Sequence, residues 1–215
     1  ASILVIYIYY LVKGFLRRIT SINDTLERTF EHVSLDDIQH GTQTINNLEE
    51  TAADISLLHA KLSNVIRSFN EIFGWQMLCV LLNYILLFMV TYEMGLRIAS
   101  RHLQNINWQF TVWFICSMVY AAIAVSAITS ICDETTFEAR RTTDLSYSYL
   151  YNLNLSKQHK EQASLVRILT TLVRQTRSDA SITFSAAGFF YIDYSTLFTL
   201  IKLLMSYLIV LIQFE

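Results

Sequence analysis

The chain has 215 residues, of which 53% are hydrophobic and 16% are charged, and it contains no proline. Soluble domains carry about 25% charged residues and about 5% proline, so this composition argues against an ordinary soluble domain. It favours long helices in lipid, where the backbone must satisfy its own hydrogen bonds. The formal net charge of −2 points to neither nucleic acid nor an anionic surface as a partner.

The first apolar segment covers residues 1–16 and ends before Arg17 and Arg18. Crossing a bilayer takes about 20 apolar residues, and this segment is too short. No basic region and no cleavage site flank it, as they would in a signal peptide. We therefore interpret it as the cytosolic end of a transmembrane helix that starts before the chain does, which makes the chain the C-terminal half of a longer protein.

Residues 17–71 form a polar segment that we predict to be helical and that carries one row of apolar residues, which we call the seam. Between residues 45 and 69, apolar residues recur every three or four positions, which is the pattern of a heptad helix. We expect this helix to run without interruption into the membrane, and we expect a break at residues 36–42. The seam consists of Ile45, Leu48, Ala52, Ile55, Leu62, Ile66 and Phe69, with His59 in the remaining slot, where we expect it to set register.

Residues 72–132 are predicted to form a transmembrane hairpin. One span covers residues 72–92, which contain no charge, and the other lies within residues 103–132, which are also uncharged. The short connector at residues 93–102 makes the two spans antiparallel neighbours.

Residues 133–180 are polar again, and we predict packed helices there because Gly and Pro runs are lacking. One amphipathic helix has Leu165, Ile168, Leu169, Leu172 and Val173 on its apolar face and Arg167, Arg174 and Arg177 on the other. Residues 181–215 close the chain with a last span at residues 194–214.

The distribution of Lys and Arg predicts the orientation. Basic residues near the span ends favour the two long polar stretches over the connector, which holds only Arg97 and Arg101. The positive-inside rule then places both stretches in the cytosol and the C-terminus outside the cell. This predicts a multi-pass plasma-membrane protein and argues against a seven-helix G-protein-coupled receptor, whose C-terminus is cytosolic.

The last span carries a polar stripe. Its members are spaced three or four residues apart and are Thr199, Lys202, Ser206, Ile209 and Gln213. Polar groups at membrane depth are costly unless they face protein or water. From spacing alone, the stripe either lines a conduit between copies of the helix or contacts other helices of one subunit, with Lys202 reaching towards the interface.

The hairpin supplies a second candidate site, where aromatic rings alternate with amides and hydroxyls. These side chains are Asn83, Tyr84, Thr91, Tyr92, Trp108, Gln109 and Trp113. Such a mixture suits sugars or planar alkaloids, which combine apolar stacking with a few directed hydrogen bonds. The alternative is that Trp and Tyr simply mark the membrane interface.

Enzymatic and metal-binding chemistry is not indicated. The five histidines are scattered without ligand spacing, and the five glycines form no phosphate-binding loop. Cys79, Cys116 and Cys132 suggest no disulfide framework, and we interpret them as small core residues. We expect no catalytic residues, no cofactor and no metal.

Two C-terminal patches resemble the signature of insect gustatory receptors. Residues 206–214 read Ser-Tyr-Leu-Ile-Val-Leu-Ile-Gln-Phe, against the family's Thr-Tyr, five hydrophobic residues and Gln-Phe, so Ser206 stands where the family has Thr. Residues 184–193 resemble the family's second patch, a small-residue turn followed by Gly-Phe-Phe and an acid.

The resemblance implies an all-α polytopic membrane protein whose long transmembrane helices extend into a cytosolic helical anchor region. It implies a tastant-gated non-selective cation channel, with a sugar or a bitter compound as ligand. The family's last helices surround the central pore of a homo- or heterotetramer, and Gln213 and Phe214 correspond to its gate. It also places the tastant pocket in the outer half of the subunit. Because a lone helix in water could not bury its apolar stripe, we also expect residues 45–69 and 161–177 to pack together near the fourfold axis and so to hold the tetramer.

Three alternatives remain open. An insect odorant-receptor-type channel shares the architecture, although the Gln-Phe ending argues against it. A G-protein-coupled-like chemoreceptor would have a cytosolic C-terminus. A membrane-anchored coiled-coil adaptor would have no pore, and it explains the polar stripe less well.

Overall fold

The computed structural model describes residues 2–31, 42–100, 108–155, 163–177 and 182–213, which are almost entirely helical. The elements in chain order are α1 (Ser2–Glu31), α2 (Thr42–Ser100), α3 (Trp108–Leu155), α4 (Ala163–Arg177), β1 (Ser185–Ala186), β2 (Phe190–Tyr191) and α5 (Tyr194–Gln213). The expected all-α class is confirmed. Most of the predicted break at residues 36–42 lies outside the described residues, but α2 begins at Thr42.

The chain divides into two compact units. The membrane unit consists of Ala1–Tyr9, Asn70–Asp133 and Ser185–Glu215, and the anchor unit consists of Tyr10–Phe69 and Glu134–Phe184. Each unit has its own packing.

The heptad seam forms the core of the anchor unit. All of the predicted seam positions from Leu48 to Phe69 are buried, including His59, which is 2% exposed. The side chain of Ile45 lies outside the described residues. The seam is confirmed over this range because only a helical period of three and four places these positions on one face. The same helix continues to Ser100, which confirms the predicted continuity.

Helix α4 packs its apolar face onto this seam. Leu165 and Leu169 join Leu48 and Ala52 in one cluster of buried residues. A serine–carboxylate hydrogen bond at one edge supports the contact, in which Ser164 Oγ donates to Glu49 Oε2 at 2.7 Å. Arg167 and Arg174 are exposed, as expected of the opposite face.

This packing corrects the basis of one expectation. We expected the two apolar stripes to pack together near a fourfold axis and so to hold an oligomer. The stripes do pack together, but they bury each other within a single chain, where Leu169 and Leu172 are fully buried. They are therefore core residues of the single chain, and the position of the packed stripes relative to a fourfold axis stays a prediction.

A buried polar group joins α1 to α3. Asn23 is fully buried, and its Nδ2 donates to the backbone oxygen of Glu138 and to Glu138 Oε2, both at 2.9 Å. Thr142 Oγ1 donates to Asn23 Oδ1 at 2.6 Å. Arg141 forms an ion pair of 2.9 Å with Glu27 nearby. Because each of these partners is specific, the group fixes the register of the two helices.

The membrane unit contains the apolar helices. Two described stretches, Asn47–Tyr92 and Ile115–Asn152, are long and apolar enough to cross a membrane by length and composition. They include the predicted span at residues 72–92 and much of the one within residues 103–132.

The cysteine interpretation was correct at one position only. Cys132 is buried, but Cys79 and Cys116 are exposed on their helices and are not core residues of the single chain. In an apolar span, a position facing lipid and a position facing the core carry similar residues, so composition does not separate the two.

Candidate pore helix and membrane cavity

A two-stranded hairpin precedes α5. Ser185 pairs with Tyr191, and Ala186 pairs with Phe190. The turn places Ala187 and Gly188 at positive φ angles of 53° and 76°. The resemblance of residues 184–193 implied a small-residue turn here, but the strand pairing was not predicted because each strand has only two residues.

The hairpin is seated directly on α2. Asn70 Oδ1 accepts a hydrogen bond of 3.2 Å from the backbone nitrogen of Ser185. At Gly74 the two backbones approach so closely that an added Cβ would lie 2.8 Å from the nitrogen of Ala187. Trp75 packs against Phe189 with ring centroids 5.9 Å apart. The start of α5 is thereby tied to the middle of α2.

Asp193 caps α5. Its Oδ1 accepts a hydrogen bond of 2.7 Å from the backbone nitrogen of Thr196, which satisfies one of the free amides of the first turn. Asp193 lies nine residues before Lys202, a rise of about 13 Å along a helix. The two side chains of one subunit are thus too far apart to pair.

The two faces of α5 have different surroundings. Leu197, Leu200 and Leu204 are half-buried on the side that meets α2 and α3. At 3.6 residues per turn, the polar stripe falls on the opposite side. Its described members, Thr199, Lys202, Ser206, Ile209 and Gln213, are all exposed, whereas Phe214 lies outside the described residues.

Three helices of the membrane unit border a half-open cavity of about 460 Å³. The walls are contributed by α2, α3 and α5 and are almost wholly apolar. They are formed by Leu81, Tyr84, Ile85, Phe88, Met118, Val119, Ala121, Ala122, Val125, Ser126, Leu197, Leu200, Ile201, Leu204 and Met205.

Only one of the seven predicted ligand residues, Tyr84, lines this cavity. Asn83, Gln109 and Trp113 are exposed, and Tyr92 is half-buried. The hydroxyl of Thr91 donates to the backbone oxygen of Leu87 in its own helix. Helix α3 begins at Trp108, whose side chain lies outside the described part of the chain.

The other residues that line the cavity were not among the predicted ligand residues. They are Leu, Ile, Val, Ala, Met and Phe, the same types that face lipid or fill a core. Polar and aromatic residue types therefore indicate Tyr84, but they do not indicate the apolar cavity that it lines.

In the anchor unit, burial lowers the pKa of His59 below its ordinary value of 6.5, because the charged ring loses its hydration. The imidazole is thus kept neutral at the centre of the heptad seam. This fits a residue that specifies packing.

The continuous apolar helices and their exposed faces define an all-α membrane protein. The chain matches the 7tm chemosensory receptor family over residues 1–215 and belongs to that family. A search of the curated proteins gave no match. The family is one of receptors and not of enzymes, and the match is consistent with the insect gustatory resemblance.

Proposed function

We propose that this chemoreceptor is a tastant-gated non-selective cation channel of the plasma membrane, in which α5 lines the pore of a homo- or heterotetramer. One observation carries the proposal. The polar stripe of α5 lies opposite the side that packs on α2 and α3, and all of its described members are exposed in the single chain. Several copies of this face around an axis would form a polar conduit through an apolar layer.

Cysteine accessibility tests the pore. Thr199→Cys, Ser206→Cys and Gln213→Cys should each let a cationic thiol reagent block the tastant-evoked current. Leu197→Cys and Leu204→Cys, on the packed face, are the matched controls and should resist it. The background must first be made Cys79→Ser and Cys116→Ser, because both native thiols are exposed.

The pattern of modification decides the test. Block that follows the stripe and spares the packed face supports a pore along α5. Equal block on both faces, or none on either, would contradict it and favour an adaptor or a G-protein-coupled-like receptor.

We place the gate at Gln213 and Phe214, at the end of the stripe. A bulky ring closes a narrow pore by excluding water, and an amide exchanges hydrogen bonds between two arrangements. Phe214→Ala should give current without tastant, and Gln213→Ala should change the open probability more than the tastant affinity. Single-channel recording measures both, and Ile209 is the next candidate if neither variant alters resting closure.

Lys202 should reduce cation flux, because a ring of positive charges repels the permeant ion. Lys202→Gln should raise the single-channel conductance for Na⁺ and K⁺, and Lys202→Arg should leave it near the wild-type value. Unchanged conductance in Lys202→Gln would place this side chain away from the ion pathway.

The topology follows from the Lys and Arg bias. An epitope tag after Glu215 should be labelled on intact cells, since the C-terminus is proposed to be extracellular. Labelling only after permeabilisation would favour a G-protein-coupled-like topology. The insect odorant-receptor-type channel shares the extracellular C-terminus, so a panel of tastants and volatile odorants separates these two classes.

A further inference from the structure

Exposed aromatic rings gather where the hairpin β1–β2 meets α2. Phe189, in the hairpin turn, is 70% exposed, and Trp75 of α2, which packs against it, is 60% exposed. Tyr191 on β2 and Tyr194 at the start of α5 are exposed as well. We call these four side chains the aromatic layer. So many exposed rings close together indicate a surface that contacts something other than water.

The aromatic layer lies where charged residues stop along two helices. Glu71 is the last charge of α2 before the uncharged residues 72–92, and Asp193 caps the apolar helix α5. The hairpin holds these two points at one level, because the backbone nitrogen of Ser185 donates to Oδ1 of Asn70, the residue before Glu71. Both helices therefore pass from charged to apolar sequence at the level of the aromatic layer.

Helix α1 adds another exposed ring at the same level. The ring centroid of Tyr7 lies 6.0 Å from that of Phe73, which precedes Trp75 by less than one turn of α2. Three separate segments of the membrane unit thus present aromatic rings at one level. A partner that binds one spot does not require this arrangement, whereas a flat boundary between water and hydrocarbon meets every segment at the same level.

Trp and Tyr suit this boundary because each combines an apolar ring with an N–H or O–H group that bonds to headgroup oxygens and water. The charges beside the aromatic layer, Glu71 and Asp193, are both acidic and so disfavour anionic lipid. We propose that the aromatic layer is seated between the headgroups and the acyl chains of the bilayer and binds zwitterionic phospholipid there. Because the hairpin leads directly into the cap of α5, this contact fixes the depth at which α5 enters the bilayer. The contact needs no pore, so it is independent of the proposed channel.

Fluorescence quenching measures the depth of single positions. In the Cys79→Ser/Cys116→Ser background, Phe189→Cys and Trp75→Cys are each labelled with the fluorophore NBD, and the receptor is reconstituted in phosphatidylcholine vesicles. The quencher is a phosphatidylcholine with a nitroxide either near its headgroup or near the end of its chain, or iodide in the water. Both labels should be quenched at least about twofold more by the shallow nitroxide than by the deep one, since interfacial groups lie near the headgroup boundary.

Two exposed positions outside the aromatic layer calibrate the depths. Leu82→Cys lies about 15 Å along α2 from Ile72, near the middle of the span, and should be quenched more by the deep nitroxide. Tyr151→Cys, in the anchor unit, should be quenched by iodide alone. If the labels at Phe189 and Trp75 behave like the one at Tyr151, the aromatic layer lies in water. If they respond to no quencher, another subunit covers them. Either result would overturn the proposal.

A charge in the aromatic layer tests whether lipid holds the hairpin. Phe189→Asp should raise iodide quenching of a label at Tyr191→Cys at least about threefold, because a carboxylate avoids the acyl chains, whereas Phe189→Trp should leave it unchanged. Phe137→Asp, which puts the same charge at an exposed aromatic position of the anchor unit, is the matched control. Equal iodide quenching in Phe189→Asp and Phe189→Trp would show that the seat on α2 alone holds the hairpin, and would overturn the anchoring by lipid. Neither measurement depends on current, so failure of the channel proposal would be seen separately.

Discussion

At the scale of single residues, Gly74 has the least room for a side chain among the described glycines. An added Cβ would meet backbone atoms of Ala187 and Ser185 at 2.8–3.3 Å, and backbone cannot rotate away as a side chain can. Gly74→Ala should therefore lift the hairpin from α2 and destabilise the receptor by about 1–3 kcal/mol, the usual cost of overpacking. The thermal midpoint in detergent, followed by size-exclusion chromatography, measures this.

Gly14→Ala is the matched control for that change. Gly14 also lies within a long helix, but an added Cβ there would meet nothing within 4 Å. Because Ala is the better helix former by about 1 kcal/mol, this variant should be as stable as the wild type or more so. A Gly74→Ala protein with an unchanged thermal midpoint would show that the hairpin is not seated as described.

His59 should make the anchor unit sensitive to acid. Its folded pKa is lowered from 6.5 by burial, so the unfolded chain binds a proton more readily. The contribution of His59 to stability is complete above pH 6.5 and is lost as the pH falls below that value. Between pH 7.5 and 5.5 the loss is at most about 1.4 kcal/mol.

His59→Leu should remove this part of the pH dependence, because Leu fills a heptad position without titrating. Thermal unfolding of both proteins at pH 7.5 and 5.5 makes the comparison. If the variant loses as much stability in acid as the wild type does, other groups carry the sensitivity.

At the scale of elements, the polar group between α1 and α3 sets how these helices meet. Asn23→Ala would remove the 2.6 Å acceptor of Thr142 Oγ1, which would keep only the 3.4 Å bond to the Glu138 backbone oxygen, and would remove the 2.9 Å donor of Glu138 Oε2, which would keep Arg141 at 3.7 Å. Buried groups that lose their partners cost about 1–3 kcal/mol, and the thermal midpoint should fall accordingly. Thr25→Ala on the exposed side of α1 should change little, since Thr25 bonds only to its own helix. Similar losses in the two variants would argue against a specific role for Asn23.

The sequence predicted these elements where one period runs over many residues. The buried seam of α2 and the apolar face of α4 repeat every three or four positions, and both were found as expected. The β1–β2 pairing rests on two residues in each strand and on one close approach at Gly74, neither of which leaves a periodic signal. The partners of Asn23 lie more than 100 positions away along the chain, a separation that no local pattern encodes.

At the scale of the molecule, the candidate site was predictable only in part. The polar stripe of α5 could be found because polar residues stand out in an apolar helix. The cavity could not, because Leu200 or Ala122 facing a void looks in sequence like the same residue facing lipid. Tyr84 was predicted to help bind sugars or planar alkaloids, and it does line the cavity, but its role in binding a ligand stays a prediction.

The oligomeric state of the receptor cannot be tested by substituting residues of the buried apolar stripe of α4. Leu169→Asp would place a charge in the core of a single subunit, where the side chain is fully buried, so loss of the oligomer would report only misfolding. The informative positions are apolar residues of the anchor unit that remain exposed. Leu57 and Leu58 are 53% and 52% exposed, next to each other on α2.

We predict that Leu57 and Leu58 contact a neighbouring subunit in the proposed tetramer. Exposed apolar pairs on the anchor unit favour association. Because each side chain is already about half buried, burying the rest would contribute about 0.8–1.5 kcal/mol per side chain, half of the value for a fully exposed residue. The double variant Leu57→Glu/Leu58→Glu should shift the purified receptor from tetramer to smaller species in mass photometry while its helical circular dichroism is retained. Lys61→Glu, one turn further along the exposed side, is the charge control and should remain tetrameric. If the double variant stays tetrameric at the lowest concentration measured, the contact between subunits lies on another face.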